Sequence, residues 1–173
     1  MTSPDWNGLL VESYDRVAER YAEEFFNELD RKPFDKDLLD HYADTVRGRG
    51  KVCDLGCGPG HVARYLQARG VEVLGLDISP RMVEVARQFN PGIPFDQGDM
   101  QALDLPDSSL AGVVAFYSMI HLARSVVPRS LDEVMRVLRP GGVALISVHG
   151  GEGELHADEF LGQTVSIDAS FFR

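Results

Sequence analysis

Val52-Cys53-Asp54-Leu55-Gly56-Cys57-Gly58-Pro59-Gly60 is the stretch that decides the fold of this chain. An apolar strand carrying an acidic residue, Asp54, runs straight into three glycines, Gly56, Gly58 and Gly60. A strand that ends in Gly-x-Gly-x-Gly lets the backbone approach a ligand more closely than any side chain would allow. Cys57, between the first two glycines, is small enough to leave that room. The next segment, His61-Val62-Ala63-Arg64-Tyr65-Leu66, reads as a helix whose free N–H groups point back at the same place. The pattern implies a polar, nucleoside-like ligand.

Working outward, short apolar runs alternate with helical segments. Residues 71–76 read as a second strand, and Ser79-Pro80 supplies an N-cap and a first-turn proline for a helix through Phe89. Residues 93–97 and 112–117 read as further strands. A helix over about 128–138 is closed by Arg139-Pro140-Gly141-Gly142, a turn signal, and 143–148 is a fifth strand. Strands alternating with helices mean βαβ units, hence a Rossmann-like, doubly wound and mainly parallel α/β sheet with helices on both faces. Upstream, Tyr14, Val17, Ala18, Tyr21 and Phe25 recur at helical spacing and mark a helix over about 12–29. Phe34, Leu38, Leu39, Tyr42 and Val46 mark a second one, ending near Gly48. The organisation expected is one domain: an N-terminal helical cap (1–48), a cofactor-binding core (49–149) and a short C-terminal segment (150–173).

In an open parallel sheet, ligands sit beyond the carboxyl ends of the strands, where strand order reverses. Asp77 ends the second strand, 17 residues beyond Gly60. A carboxylate there accepts from both hydroxyls of a ribose, and the competing role of helix N-cap is already filled by Ser79. Gly98-Asp99-Met100 follows the third strand and Phe116-Tyr117-Ser118-Met119-Ile120-His121 the fourth. A nicotinamide oxidoreductase is one alternative reading, but the dinucleotide fingerprint needs Gly-x-Gly-x-x-Gly. This chain puts His61 where the third glycine should fall and Gly60 one residue early.

The D-x-G-x-G-x-G string closely resembles motif I of the class I S-adenosylmethionine-dependent methyltransferases. Leu131-Asp132-Glu133-Val134-Met135-Arg136-Val137-Leu138-Arg139-Pro140-Gly141-Gly142 is similar to the stretch before strand five in their small-molecule, ubiquinone/menaquinone-type branch. Tyr14-Asp15-Arg16-Val17-Ala18-Glu19-Arg20-Tyr21 looks like that branch's N-terminal helix, which caps the cofactor. The resemblance implies S-adenosyl-L-methionine as cofactor, S-adenosyl-L-homocysteine as product, and methyl transfer to an O, N or C atom of a small-molecule acceptor. It implies that Asp99 accepts from the adenine amino group while the backbone of Met100 serves the ring and Gly98 keeps the approach open. Ile78 and Met82 join that cofactor set, and Phe116 and Ser118 lie near the methionine portion. Tyr14 and Tyr21 either line the methyl-donor pocket or anchor the cap helix as core aromatics. His121 is the candidate general base, because a neutral imidazole titrates in the useful range; the alternative is a histidine simply hydrogen-bonded in place.

Two departures matter. Strand four does not end in the Asn/Asp-Pro-Pro-Tyr of related enzymes that methylate amide or exocyclic nitrogens, and no Pro-Cys nucleophile appears. The family's sheet also has seven strands, whereas the residues after Val148 leave no room for a helix and two strands. Residues 164–172 are expected as one extended segment, with the last strands of the family missing. The open edge beside strand five would invite pairing with a second chain, giving a homodimer. If the shortened chain lacks an acceptor pocket, it is instead a cofactor-binding module without turnover.

Composition narrows the partners. The formal net charge is −10, and the 17 Lys and Arg residues form no basic run, which argues against nucleic acid and anionic membrane surfaces. No apolar run approaches the roughly 20 residues needed to span a bilayer, and Met1-Thr2-Ser3-Pro4-Asp5-Trp6 lacks a basic-then-apolar signal. A cytoplasmic location is expected. Cys53 and Cys57 are the only cysteines, and His41, His61, His121, His149 and His156 are too dispersed for a metal site.

Overall fold

The computed structural model describes residues 6–173. Helices α1 (Trp6–Phe25) and α2 (Pro33–Val46), joined by a 3-10 turn at Glu28–Arg31, precede the sheet. Strand β1 (Val52–Leu55) leads into α3 (His61–Gln67), β2 (Val73–Asp77) into α4 (Pro80–Phe89), and β3 (Phe95–Gln97) follows. Then come β4 (Leu110–Phe116), a 3-10 turn at Met119–His121, α5 (Val127–Val137) and β5 (Leu138–Ser147). The five strands pair in parallel in the order β3-β2-β1-β4-β5. Strand order therefore reverses between β1 and β4, which opens a crevice above their carboxyl ends.

The apolar runs read as continuous because both faces of the sheet are covered. Successive residues of β4 serve opposite cores. Val113 and Ala115 pack in a cluster with Cys53, Leu55, Leu76, Val134 and Val137, against α5. Val114 and Phe116 pack with Leu39, Tyr42, Val46, Val62 and Leu66, against α2 and α3. Ser79 caps α4 as expected, its Oγ accepting from Met82 N at 3.0 Å, with Pro80 in the first turn. Helix α1 begins earlier than its apolar periodicity suggests and ends before Leu29, where the chain tightens into the 3-10 turn.

Two details differ from the sequence reading. Arg139-Pro140-Gly141-Gly142 does not close a helix ahead of the strand; it is absorbed as an irregularity inside β5, where pairing jumps from Leu110–Leu138 to Gly112–Val143. The C-terminus holds two strands rather than one extended segment. β6 (Glu154–Phe160) and β7 (Gln163–Ser170) form an antiparallel hairpin by dispensing with the intervening helix. The main sheet stops at β5, and the hairpin lies on α1 instead of extending it. Val165 and Ile167 bury against Val17, Ser166 N donates to Ser13 Oγ at 2.9 Å, and Arg16 donates to Thr164 O at 3.1 Å.

Candidate functional site

The glycine turn after β1 does three separate jobs. Gly56, Gly58 and Gly60 all take left-handed φ values, +73°, +51° and +80°, which L side chains rarely adopt. At Gly56 a Cβ would collide with Ser118, so this glycine lets the ends of β1 and β4 close together. At Gly60 a Cβ would sit 2.6 Å from Phe95 Cζ and 2.7 Å from Asn90 Nδ2, so this glycine permits close packing at the start of α3. Only Gly58 is open, with Tyr21 Cε1 at 4.0 Å as its one neighbour, and its face forms the floor of a cavity.

That cavity encloses about 120 Å³ at the crevice between β1 and β4. A single water needs roughly 10–15 Å³, so this is a ligand-sized space rather than a packing fault. Asp77, at the end of β2, is 9% exposed and lines it. One carboxylate oxygen accepts from Gly58 N at 2.8 Å and the other from Ser79 N at 2.9 Å. Burial raises its pKa, opposed by those two bonds. Each oxygen keeps a second lone pair. Ile78, Met82 and Gly98 line the cavity beside Asp77, with Cys57 and Phe116. Asp99 and Met100 line it on the β3 side; Asp99 accepts from Gln101 N at 2.8 Å and from Asn7 Nδ2 of α1 at 3.2 Å.

The cap helix forms the roof. Tyr14 and Tyr21 both line the cavity and also pack on the buried Ala18, Ala22, Met82 and Val85, which anchors the cap helix. Asp15 fixes α1 on α4, accepting from Ser79 Oγ at 2.5 Å and Arg81 N at 3.2 Å. Sequence reasoning missed this anchor; nothing in helical periodicity marks a carboxylate that caps another helix.

On the β4 side, Ser118 donates to Leu55 O at 2.6 Å. His121 lines the cavity with its ring fixed at both nitrogens. Nδ1 lies 2.8 Å from Asp168 O of the hairpin, and a carbonyl only accepts, so Nδ1 carries the proton. Nε2 therefore presents its lone pair and takes a hydrogen bond from Tyr14 Oη, 2.7 Å away. Burial pushes the His121 pKa below its ordinary value and the Tyr14 pKa well above. At neutral pH the pair is a neutral imidazole facing a neutral phenol.

Two sequence-selected residues stand behind the site rather than in it. Asp54, 1% exposed, turns away from the cavity, and its Oδ2 accepts from Ala63 N at the start of α3 at 3.0 Å. Burial lifts its carboxyl to about 7, against that hydrogen bond and with help from the Asp77 charge. Gly60 shapes the turn without reaching the cavity. Conversely, Glu28, His61 and Tyr117 line it without having been singled out for that. Among the described residues no group of three or more His, Cys, Asp or Glu could hold a metal ion, and no helix is long and apolar enough to cross a membrane.

A family model described as a methyltransferase domain matches residues 52–142. The chain is 34% identical over 124 residues to a malonyl-[acyl-carrier protein] O-methyltransferase of Serratia marcescens, covering 64% of this chain and 48% of that protein. It is 39% identical over 103 residues to a trans-aconitate 2-methyltransferase of Methylobacterium nodulans, covering 57% and 38%. The chain thus spans half or less of the length of these curated relatives. Among solved structures, the DhpI-SAM-HEP complex aligns over 99% of this chain and 85% of its own, with a TM-score of 0.78 and 22% identity; that likeness concerns the fold.

Proposed function

The chain belongs to the methyltransferase domain family, and from that premise we propose that it transfers a methyl group from S-adenosylmethionine to a small-molecule acceptor. One observation carries the reading: the open face of Gly58 and the carboxylate of Asp77 meet on one wall of the cavity, tied by a 2.8 Å hydrogen bond. A backbone without a side chain beside a buried acceptor of two hydrogen bonds fits a ribose. In this reading Asp77 holds both ribose hydroxyls, Asp99 and the backbone of Met100 hold adenine, and Ile78 and Met82 pack on the rings. Tyr14, Tyr21, Phe116 and Ser118 enclose the methyl-donor end.

Bound S-adenosylmethionine supplies a methyl group made electrophilic by its sulfonium, and transfer leaves neutral S-adenosylhomocysteine. The protein's part is alignment and exclusion of water, which can supply up to roughly 7–11 kcal/mol of barrier lowering. The acceptor occupies the side of the cavity bounded by Leu10, Tyr14, His121 and Leu122. Where it arrives protonated, its proton comes to rest on Nε2 of His121, directly or through Tyr14. The Asp168 carbonyl keeps Nδ1 protonated and so keeps Nε2 free to act. The printed names of the two relatives support a small or carrier-bound acceptor.

Asp77→Ala tests the assignment. Losing hydrogen bonds to a charged group costs about 1.5–3 kcal/mol, or roughly 10- to 150-fold in affinity for S-adenosylhomocysteine. Affinity within threefold of wild type, in a variant shown to be folded by its thermal transition, overturns the ribose role.

A further inference from the structure

The hydrogen bonds around His121 all run one way. Its Nδ1–H donates to Asp168 O at 2.8 Å, and the Tyr14 hydroxyl donates to its Nε2 at 2.7 Å. A hydroxyl oxygen carries two lone pairs besides its proton. With the Tyr14 proton pointed at His121, the end of this chain that faces the cavity is an oxygen able only to accept. The wall around it is neutral: Leu10 and Leu122 are apolar, and Asn7 and Gln101 are amides.

The rest of the cavity has the same electrostatic sense. Among the described residues, the charged side chains that line it, histidines aside, are Glu28, Asp77 and Asp99. Burial works against charge on Glu28, but the bonds from His61 and Lys32 outweigh it and hold its carboxyl at about 2. Lys32 Nζ offsets that charge at 2.7 Å, whereas Asp77 and Asp99 are held by backbone N–H groups. The basic side chains closest in sequence to the neutral wall are each spent on a carbonyl. Arg16 donates to Thr164 O at 3.1 Å, Arg124 to Gly153 O at 3.1 Å and Arg129 to Gln101 O at 3.0 Å. Arg129 lies in a separate groove, with Asp132 and Glu133.

We propose that the methyl acceptor meets Tyr14 with an uncharged hydroxyl rather than with a carboxylate. A hydroxyl donates to Tyr14 Oη and extends the chain of hydrogen bonds without reversing any of them. A carboxylate only accepts, so it would face a lone pair, or draw the Tyr14 proton away and leave the buried Nε2 unpaired. Its charge would also be buried on a wall that offers no cation. An ammonium donates, but it has no lone pair with which to attack and would sit against the sulfonium. This inference rests on the cofactor reading above and adds to it the class of acceptor. The acceptor oxygen bonds to the methyl carbon as the carbon–sulfur bond breaks, with that bond's electron pair left on sulfur. The hydroxyl proton passes to Tyr14 Oη while Tyr14's own proton passes to Nε2 of His121, and the imidazolium then releases it to solvent. One positive charge leaves sulfur as one appears on the ring, so the net charge of the cavity holds constant through the transfer.

The test offers the chain three probes built on one ring, phenol, benzoate and benzylammonium, at neutral pH. Ligand-observed NMR on the chain loaded with S-adenosylhomocysteine reads their binding, and methylated product formed with S-adenosylmethionine reads transfer. Phenol should exceed benzoate by roughly 10- to 150-fold in both affinity and transfer, the scale of leaving a charged group without its hydrogen bond. Benzoate bound or methylated as well as phenol overturns the proposal. Methylation of benzylammonium in preference to phenol overturns it too and makes the acceptor an amine. Failure of all three with a chain that binds S-adenosylhomocysteine is a third refutation. If titration without any probe shows that S-adenosylhomocysteine itself does not bind, the cofactor reading fails and takes the acceptor class with it.

Discussion

Replacing Asp54 by Asn isolates the electrostatics of the motif that organises this site. Asp54 is 1% exposed and its carboxyl is lifted to about 7 by burial, against an ordinary value near 3.9 in an unfolded chain. A carboxyl raised in the folded state binds more protons folded than unfolded, so stability falls as pH rises from about 4 to about 7. At roughly 1.4 kcal/mol per unit, three units amount to at most about 4 kcal/mol. Asn is nearly isosteric, retains an oxygen for Ala63 N and cannot ionise. The stability of Asp54→Asn minus that of wild type should therefore rise across pH 4–7 and level off above. Taking the difference cancels other groups, such as Glu28, whose contribution runs the opposite way at low pH. Urea unfolding at half-unit steps from pH 4.5 to 8 measures it. A difference flat with pH would show that Asp54 stays ionised in the fold and would refute the reasoning.

The three glycines should separate in their effects. Gly60→Ala, with its Cβ 2.6 Å from Phe95 Cζ at φ +80°, should cost about 2–5 kcal/mol of stability from overpacking and a left-handed Ala, read as a lowered thermal transition. Gly58→Ala, in open space at φ +51°, should cost only about 1–2 kcal/mol yet weaken S-adenosylhomocysteine by more than tenfold; equal effects on both readouts contradict the division. For a protonated acceptor, kcat/KM should stay level through neutral pH and fall only on the acid side of the ordinary imidazole value, as Nε2 of His121 takes up a proton at a pKa lowered by burial. His121→Ala should remove that limb and lower the rate by roughly 10²- to 10⁴-fold, while cofactor affinity holds; full rate from pH 6 to 9 makes His121 structural. Tyr14→Phe should lower the rate less than His121→Ala if acceptor protons can reach Nε2 directly.

Much of this was legible because the sequence carries its instructions locally. The glycine turn, the Ser79-Pro80 helix start and the apolar strand runs each state a backbone conformation, and the sheet followed from their alternation. The carboxylates after β2 and β3 were legible by position, since strand ends fix where side chains emerge. What was not legible depends on contacts between distant segments. Asp54 heads the glycine motif in sequence, and only packing reveals that it turns under α3 to hold Ala63. Glu28 and His61 are 33 positions apart and meet only because α1 and α2 fold over the glycine turn. The tautomer of His121 is set by a carbonyl 47 residues away, on a hairpin expected to be a single extended segment. Length arithmetic missed that hairpin because it assumed a helix between the strands.

The central claim is that the wall formed by Gly58 and Asp77 holds an adenosyl group bearing a methyl sulfonium. Calorimetric titration of the chain with S-adenosylmethionine, S-adenosylhomocysteine and NAD in parallel tests it most directly. Affinities on the order of micromolar, about −8 kcal/mol, are expected for both adenosyl compounds, with no heat from NAD. Binding of NAD alone, or of none of the three by a folded chain, would contradict it.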